Sequence, residues 1–256
     1  MKKTIVALLA LILTAGCFEI DQTINLEKDL SGTADFHLGI DLEPMVVIMA
    51  QFAHEMSGKT GPVSEAELAK ARTEFKKSSS SKSETEEMSR GDVEKGLPEG
   101  VKLLDYKVAE REFGVVTDFK FGFDRISKLV GVKLPSKGGD DPTKKNVIDS
   151  PFEGLELEEK GNTLTLRTKP LNPQEAVAKE TAEAPKMDAA TEKLMKDAFS
   201  KMRVSYRITA PFTIVSHNAT RKQGNTLIWE YDMDRFEALS KSGKLDDAGV
   251  RVTYKR

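Results

Sequence analysis

A chain of 256 residues with 39% hydrophobic and 7% aromatic content can bury a sizeable core, which excludes disorder throughout. The 41 acidic residues nearly balance the 39 Lys and Arg, so the formal charge of -2 gives no general electrostatic drive toward nucleic acid. One cysteine excludes an internal disulfide and a thiolate-rich metal site.

The amino terminus accounts for that cysteine. Met1-Lys2-Lys3 is a charged opening, Ile5 to Leu13 is an unbroken apolar run, and Thr14-Ala15-Gly16-Cys17 follows directly. This order reads as a secretory signal over residues 1–16. The apolar run is roughly half of the ~20 residues that span a bilayer, so cleavage is expected rather than retention as a membrane helix. Ala15 and Gly16 before Cys17 resemble the lipobox of bacterial lipoproteins, with Thr14 where leucine is commoner. That resemblance implies diacylglycerol on the Cys17 sulfur, cleavage after Gly16 and fatty acylation, such as by palmitate, of the new amino group. Several acyl chains make a stable anchor, because each buried CH2 contributes about 0.8 kcal/mol and one chain alone holds only marginally. Phe18 stands where aspartate is the usual inner-membrane retention signal of Gram-negative lipoproteins. The expected location is therefore the outer membrane facing the periplasm in a Gram-negative cell, and otherwise the outer face of the cell membrane.

The mature chain, 17–256, reads as a single envelope domain in which hairpins alternate with helices. Phe18 to Leu26 alternates apolar and polar residues, Asp29-Leu30-Ser31-Gly32 supplies turn chemistry, and a second strand runs near Thr33–Ile40. A helix is predicted over Pro44–Met56, with Pro44 suited to its first turn and Asp41 or Glu43 to its positive end. Paired strands follow at Val101–Arg111 and Phe113–Phe123, then a short helix from Asp124 through Val130. Phe152–Lys160 and Thr163–Thr168 flank a Gly161-Asn162 turn, and a helix is predicted at Met187–Met202. Arg203–His217 and Thr226–Asp232 read as strands, Asp234–Ser240 as a short helix and Val250–Tyr254 as a closing strand.

Gly161-Asn162-Thr163-Leu164 recurs as Gly224-Asn225-Thr226-Leu227, and Asp124-Arg125-Ile126 resembles Asp234-Arg235-Phe236. Internal duplication and convergent turn and cap chemistry both account for these matches. The expected fold is α+β: a largely antiparallel sheet built from repeated hairpin-plus-helix units, with helices packed on the sheet. A polar, partly disordered insertion is expected at about 58–100. It holds an amphipathic helix with a capping box at Ser64 and Glu67 and an apolar line at Leu68, Ala71 and Phe75, which dissolves into the run Lys77 to Ser83. Ser136–Lys145 and Pro170–Pro185 read as loop and linker.

Two helices carry most of the methionine. Met45, Met49, Phe52 and Met56 form one stripe of the first, and Met187, Leu194, Ala198 and Met202 one face of the second, with Met195 and Phe199 at its margin. Flexible thioethers line surfaces that accept variable apolar ligands, so Met45, Met49, Phe52, Met56, Met187, Leu194, Met195 and Met202 are candidates for a lipid-accepting groove or a partner-binding face; ordinary core packing is the competing explanation. His37, His54 and His217 lack the spacing that sets two imidazoles on one metal, and no metal or cofactor is expected. No Gly-x-Ser-x-Gly elbow, phosphate-binding loop or dinucleotide fingerprint is present. The carboxylate pairs Asp140-Asp141 and Glu86-Glu87 read as solvated surface.

Both ends of the mature chain resemble the LppM-like domain of bacterial envelope lipoproteins. The carriers are Cys17 with Ile20-Asp21-Gln22-Thr23-Ile24 and Asp29-Leu30-Ser31-Gly32, then Pro211-Phe212, Asn218-Ala219, Gly224-Asn225 and Trp229. The resemblance implies an anchored, non-enzymatic domain with a lipid or phospholipid-headgroup ligand; the long polar insertion and the lack of a carboxy-terminal membrane helix depart from it. Three readings follow. The first is a non-enzymatic membrane-anchored lipoprotein that binds lipid or another apolar envelope ligand. The second is a structural or assembly partner of an envelope protein complex, and the third is an envelope hydrolase without a recognisable motif.

Overall fold

The computed structural model describes residues 17–80, 89–134, 151–152, 154–169, 197 and 200–256. The signal segment, the Ser136–Lys145 loop, the Pro170–Pro185 linker and both carboxylate pairs lie outside them, as do Met187, Leu194, Met195, Ala198 and Phe199.

The first hairpin forms where alternation predicts it, with β1 at Cys17–Leu26 antiparallel to β2 at Gly32–Asp41 and Cys17 opposite Asp41. Period-two alternation sends Ile24 and Leu26 into the core. It sends Glu19, Asp21, Thr23 and Asn25 to the opposite face. The long hairpin of β3 (Val101–Arg111) and β4 (Gly114–Phe123) lies against β2. On the other side β1 pairs in parallel with β7 (Arg203–Thr209), which is antiparallel to β10 (Thr226–Asp232). The short strand β9 (Arg221–Gln223) completes a seven-stranded sheet in the order β3-β4-β2-β1-β7-β10-β9. A second sheet, β5-β6-β11-β8, joins Glu156–Lys160, Thr163–Arg167, Arg251–Lys255 and Thr213–His217.

One hydrophobic cluster fills the space between the two sheets. It takes Phe36, Phe121, Ile208 and Trp229 from the first and Leu164, Leu166, Val252 and Tyr254 from the second. The fold is α+β and mostly antiparallel, as expected, with the β1–β7 parallel pair as its exception.

Several local expectations are corrected. Arg203–His217 is not one strand: Ala210-Pro211-Phe212 divides it into β7 and β8, and the chain passes there from one sheet to the other. Proline lacks the N–H that a continuous ladder needs. Asp124 opens no α-helix; Ile126–Gly131 is a 3-10 helix with no side-chain cap. The helix at Met233–Lys241 is capped by Asp232, whose carboxylate accepts from the Arg235 N–H at 2.8 Å, rather than by Asp234. Among the described residues of the 58–100 region are two helices, α2 at Glu65–Ser80 and α3 at Arg90–Lys95, and α2 continues through the first serines of the polar run. Met202 is not helical; it lies just before β7 and is buried in the core.

Candidate functional site

The end of the sheet where β1 begins carries the feature that sequence reading singled out. Asp41 faces both Cys17 on β1 and Gly114 on β4, and the first helix, α1 at Glu43–Met56, starts two residues later. The Asp41 carboxylate accepts from the Glu43 N–H at 3.0 Å, and Pro44 occupies the first turn. The Leu42 N–H donates to the Phe113 carbonyl at 2.6 Å, which ties the start of α1 to the β3–β4 turn. Backbone register therefore puts the proposed lipidation residue and the root of α1 side by side.

α1 and α2 form a helical hairpin locked by polar contacts. Ser64 and Glu67 make the expected capping box: the Glu67 carboxylate accepts from the Ser64 N–H at 3.1 Å, and Ser64 Oγ accepts from the Glu67 N–H at 3.4 Å. Lys59 and His54 also donate to Glu67, at 2.6 and 3.1 Å. With Lys59 and Ser64 foremost, these donors hold the Glu67 carboxyl far below the usual carboxylate range. Arg72 of α2 donates twice to Glu43, at 2.8 and 2.5 Å.

Gln51, which sequence reading passed over, closes the hairpin. Its amide donates to Glu55 at 2.7 Å and to the Gly61 carbonyl at 3.0 Å, and its oxygen accepts from the Val63 N–H at 3.0 Å. A buried glutamine inside an apolar helix was the available signal, since buried polar groups need partners. Phe75 contacts Phe113 with ring centroids 6.3 Å apart, and Lys76 pairs with Glu112 at 2.6 Å, so α2 is pinned to the β3–β4 turn.

The predicted apolar stripe of α1 divides. Met45 is buried at the root beside Val46, Ile48 and Ala50, Phe52 is half-buried, and Met49 and Met56 are 41% and 62% exposed. The stripe thus passes from buried at the root of α1 to exposed toward its far end. A cavity of about 190 Å³ opens elsewhere, between β1, β7 and the segments that flank the strands of the second sheet, lined by Gln22, Ile24, Phe152, Leu155, Tyr206 and Val250. Of the described candidate methionines, Met45, Met49, Met56 and Met202, none lines it. Its volume falls below the ~300 Å³ at which small-molecule pockets begin. Burial raises the Tyr206 phenol well above its ordinary value there.

His37 contacts Asp118, His54 contacts Glu67 and His217 lies on β8, so the three imidazoles remain separate. No helix among the described residues is long and apolar enough to cross a membrane.

No known family matches the sequence, and no curated protein matches it. Among solved structures, the chain is similar to the NMR structure of the folded domain of LppM from Mycobacterium tuberculosis. The two are 10% identical over 94% of this chain and 91% of that one, with a TM-score of 0.41.

Proposed function

We propose that the chain is a membrane-anchored envelope lipoprotein without catalytic function, held by acylated Cys17, whose α1 stripe lies against the apolar part of the membrane or of a lipid within it. One observation carries this reading: the backbone register of β1 with β2 sets Cys17 opposite Asp41, two residues from a helix that exposes Met49 and Met56. An anchor at that point brings those side chains to the bilayer surface. Transfer of a fully exposed methionine to an apolar medium contributes about 1.5–3 kcal/mol, and Met49 and Met56, 41% and 62% exposed, would each add a part of that to an acyl anchor.

The test uses the acylated protein isolated from its native host. Intact-mass analysis is expected to find diacylglycerol and a fatty acyl group on Cys17 as the first residue. A Met49→Asp/Met56→Asp variant is expected to transfer between phospholipid vesicles about tenfold faster than the parent, the equivalent of ~1.4 kcal/mol of lost membrane contact. An unmodified thiol at position 17, or equal transfer rates, contradicts the proposal. Duplication of hairpin-plus-helix units belongs to the same reading: the hairpins β1–β2, β3–β4 and β9–β10 are each followed by a helical segment, and Gly161 and Gly224 take equivalent left-handed turns at φ 56° and 58°.

A further inference from the structure

The outward face of the seven-stranded sheet is polar, and one place on it has the makings of an ion site. Glu19 and Asp21 share that face of β1 because they alternate with the inward residues. His37 on β2 is the direct register partner of Asp21, and Gly39 is the partner of Glu19. One ligand atom from each of Glu19, Asp21 and His37 lies within 4.8 Å of the others. The three side chains come from two adjacent strands of the most central hairpin, so the scaffold beneath them is rigid.

Three further observations give the cluster the character of a coordination site. His37 Nδ1 and Asp118 Oδ1 on β4 are 2.6 Å apart. A carboxylate on one ring nitrogen leaves the other as an electron-pair donor, which is how ligating histidines are oriented and made more basic. Ser205 on β7 donates to Asp21 Oδ1, so Asp21 Oδ2 keeps its capacity to bind. Beside Nε2 the strand carries a buried glycine: a Cβ at Gly39 would stand 3.6 Å from His37 Nε2 and 3.5 Å from Glu19 Cβ. The glycine leaves the space beside Nε2 and Glu19 without a side chain.

Besides Arg111, whose Nη1 lies 3.9 Å from where a Gly39 Cβ would stand, Arg203 is a nearby cation, with Nη2 3.4 Å from Glu19 Oε1 and 3.8 Å from Asp21 Oδ2. Both separations exceed a good hydrogen bond, and the guanidinium is half-exposed on a flexible stem. It balances the carboxylates electrostatically without closing their lone pairs. We propose that Glu19, Asp21 and His37 bind a divalent transition-metal ion, with Asp118 as the residue that orients His37. One imidazole and two carboxylates suit zinc, manganese or cobalt(II) rather than a soft monovalent ion, and three protein ligands leave a position for water. Bonds of about 2.0–2.2 Å set tetrahedral donors roughly 3.4 Å apart, so the present set, within 4.8 Å, closes by up to about 1.4 Å through side-chain rotation of the half-buried carboxylates.

The competing explanation is a ladder of opposite charges across strands, which stabilises a sheet without any ion. Calorimetric titration of the full acylated protein in detergent with zinc chloride separates the two, with visible absorption of the cobalt(II)-loaded protein reporting the ligand set. One equivalent is expected to bind. His37→Gln and Asp21→Asn are each expected to weaken binding at least tenfold, and Asp118→Asn by about 10- to 100-fold. Arg203→Gln is expected to tighten it by removing the competing cation. Gly39→Val, which retains every ligand and suits a strand, is expected to weaken it at least tenfold by filling the space beside Nε2, and it decides the matter if His37→Gln does not fold. Absence of saturable binding, or one equivalent that His37→Gln and Gly39→Val leave unchanged, overturns the proposal.

Discussion

Asn218 shows how much one short side chain can hold. Its oxygen accepts from the Trp229 indole at 2.7 Å and from the Arg251 N–H at 2.8 Å, while its amide donates to the Gly249 carbonyl at 2.8 Å. Trp229 is fully buried, so its indole N–H depends on this acceptor. Asn218→Ala should cost about 1–3 kcal/mol, the desolvation of an orphaned buried donor, and a shift in urea midpoint at constant slope would measure it. Asn218 and Trp229 were visible in the sequence as part of a resemblance, yet their contact was not, because β10 and β11 are brought to it only by folding. Leu30 is similar: turn chemistry was legible around it, but its left-handed backbone, with φ 70°, and its complete burial were not. Glu67 belongs to this scale through its pH dependence. Its folded value lies well below the ordinary 4.5, so its stabilisation is complete above that pH and is lost as pH falls through the folded value. Glu67→Gln should therefore flatten the acid limb of a melting-temperature profile below about pH 4.5, and a limb that stays as steep would refute that assignment.

Among elements, the best-read were those whose signals are local. The β1–β2 hairpin, α1, the capping box of α2 and the two Gly-Asn turns all follow from alternation, periodicity or a preference for left-handed backbone. Ser64→Ala should cost about 1 kcal/mol of stability through loss of the cap, read by thermal denaturation of the helical circular-dichroism signal. The failures share a cause, which is that distant partners decide them. α2 continues into a serine run because Phe75 and Lys76 fasten its last full turns to Phe113 and Glu112 on the β3–β4 turn. Tertiary contact there outweighs the indifferent helix propensity of serine. β7 and β8 read as one strand because both are rich in β-branched residues, Val204, Ile208 and Thr209 in one and Thr213, Ile214 and Val215 in the other; only the sheet assignment of each side of Pro211 separates them. Likewise, the parallel pairing of β1 with β7 spans most of the chain and leaves no local trace.

At the scale of the whole molecule, two faces of one sheet divide the labour. The inner face joins the second sheet in a common core, and the outer face carries the Glu19, Asp21 and His37 cluster. At one end of this sheet α1 is rooted beside the start of β1, and it exposes Met49 and Met56 further along its length. The candidate stripe was readable as a helical face; which of its residues would be covered was not, because the burial of Met45 and the exposure of Met49 and Met56 depend on where α1 leaves the sheet. Membrane attachment through Cys17 requires that end of the sheet to meet the bilayer. Since Cys17 is the sole cysteine and its sulfur is acylated in this reading, a nitroxide placed by Met56→Cys on the full lipoprotein in vesicles would be the only thiol label. A matching label by Lys222→Cys on the far edge strand β9 provides the comparison. Oxygen dissolved in lipid is expected to relax the label at 56 more than a water-soluble nickel complex does, with the reverse order at 222. Equal, water-dominated relaxation at both positions would contradict that placement.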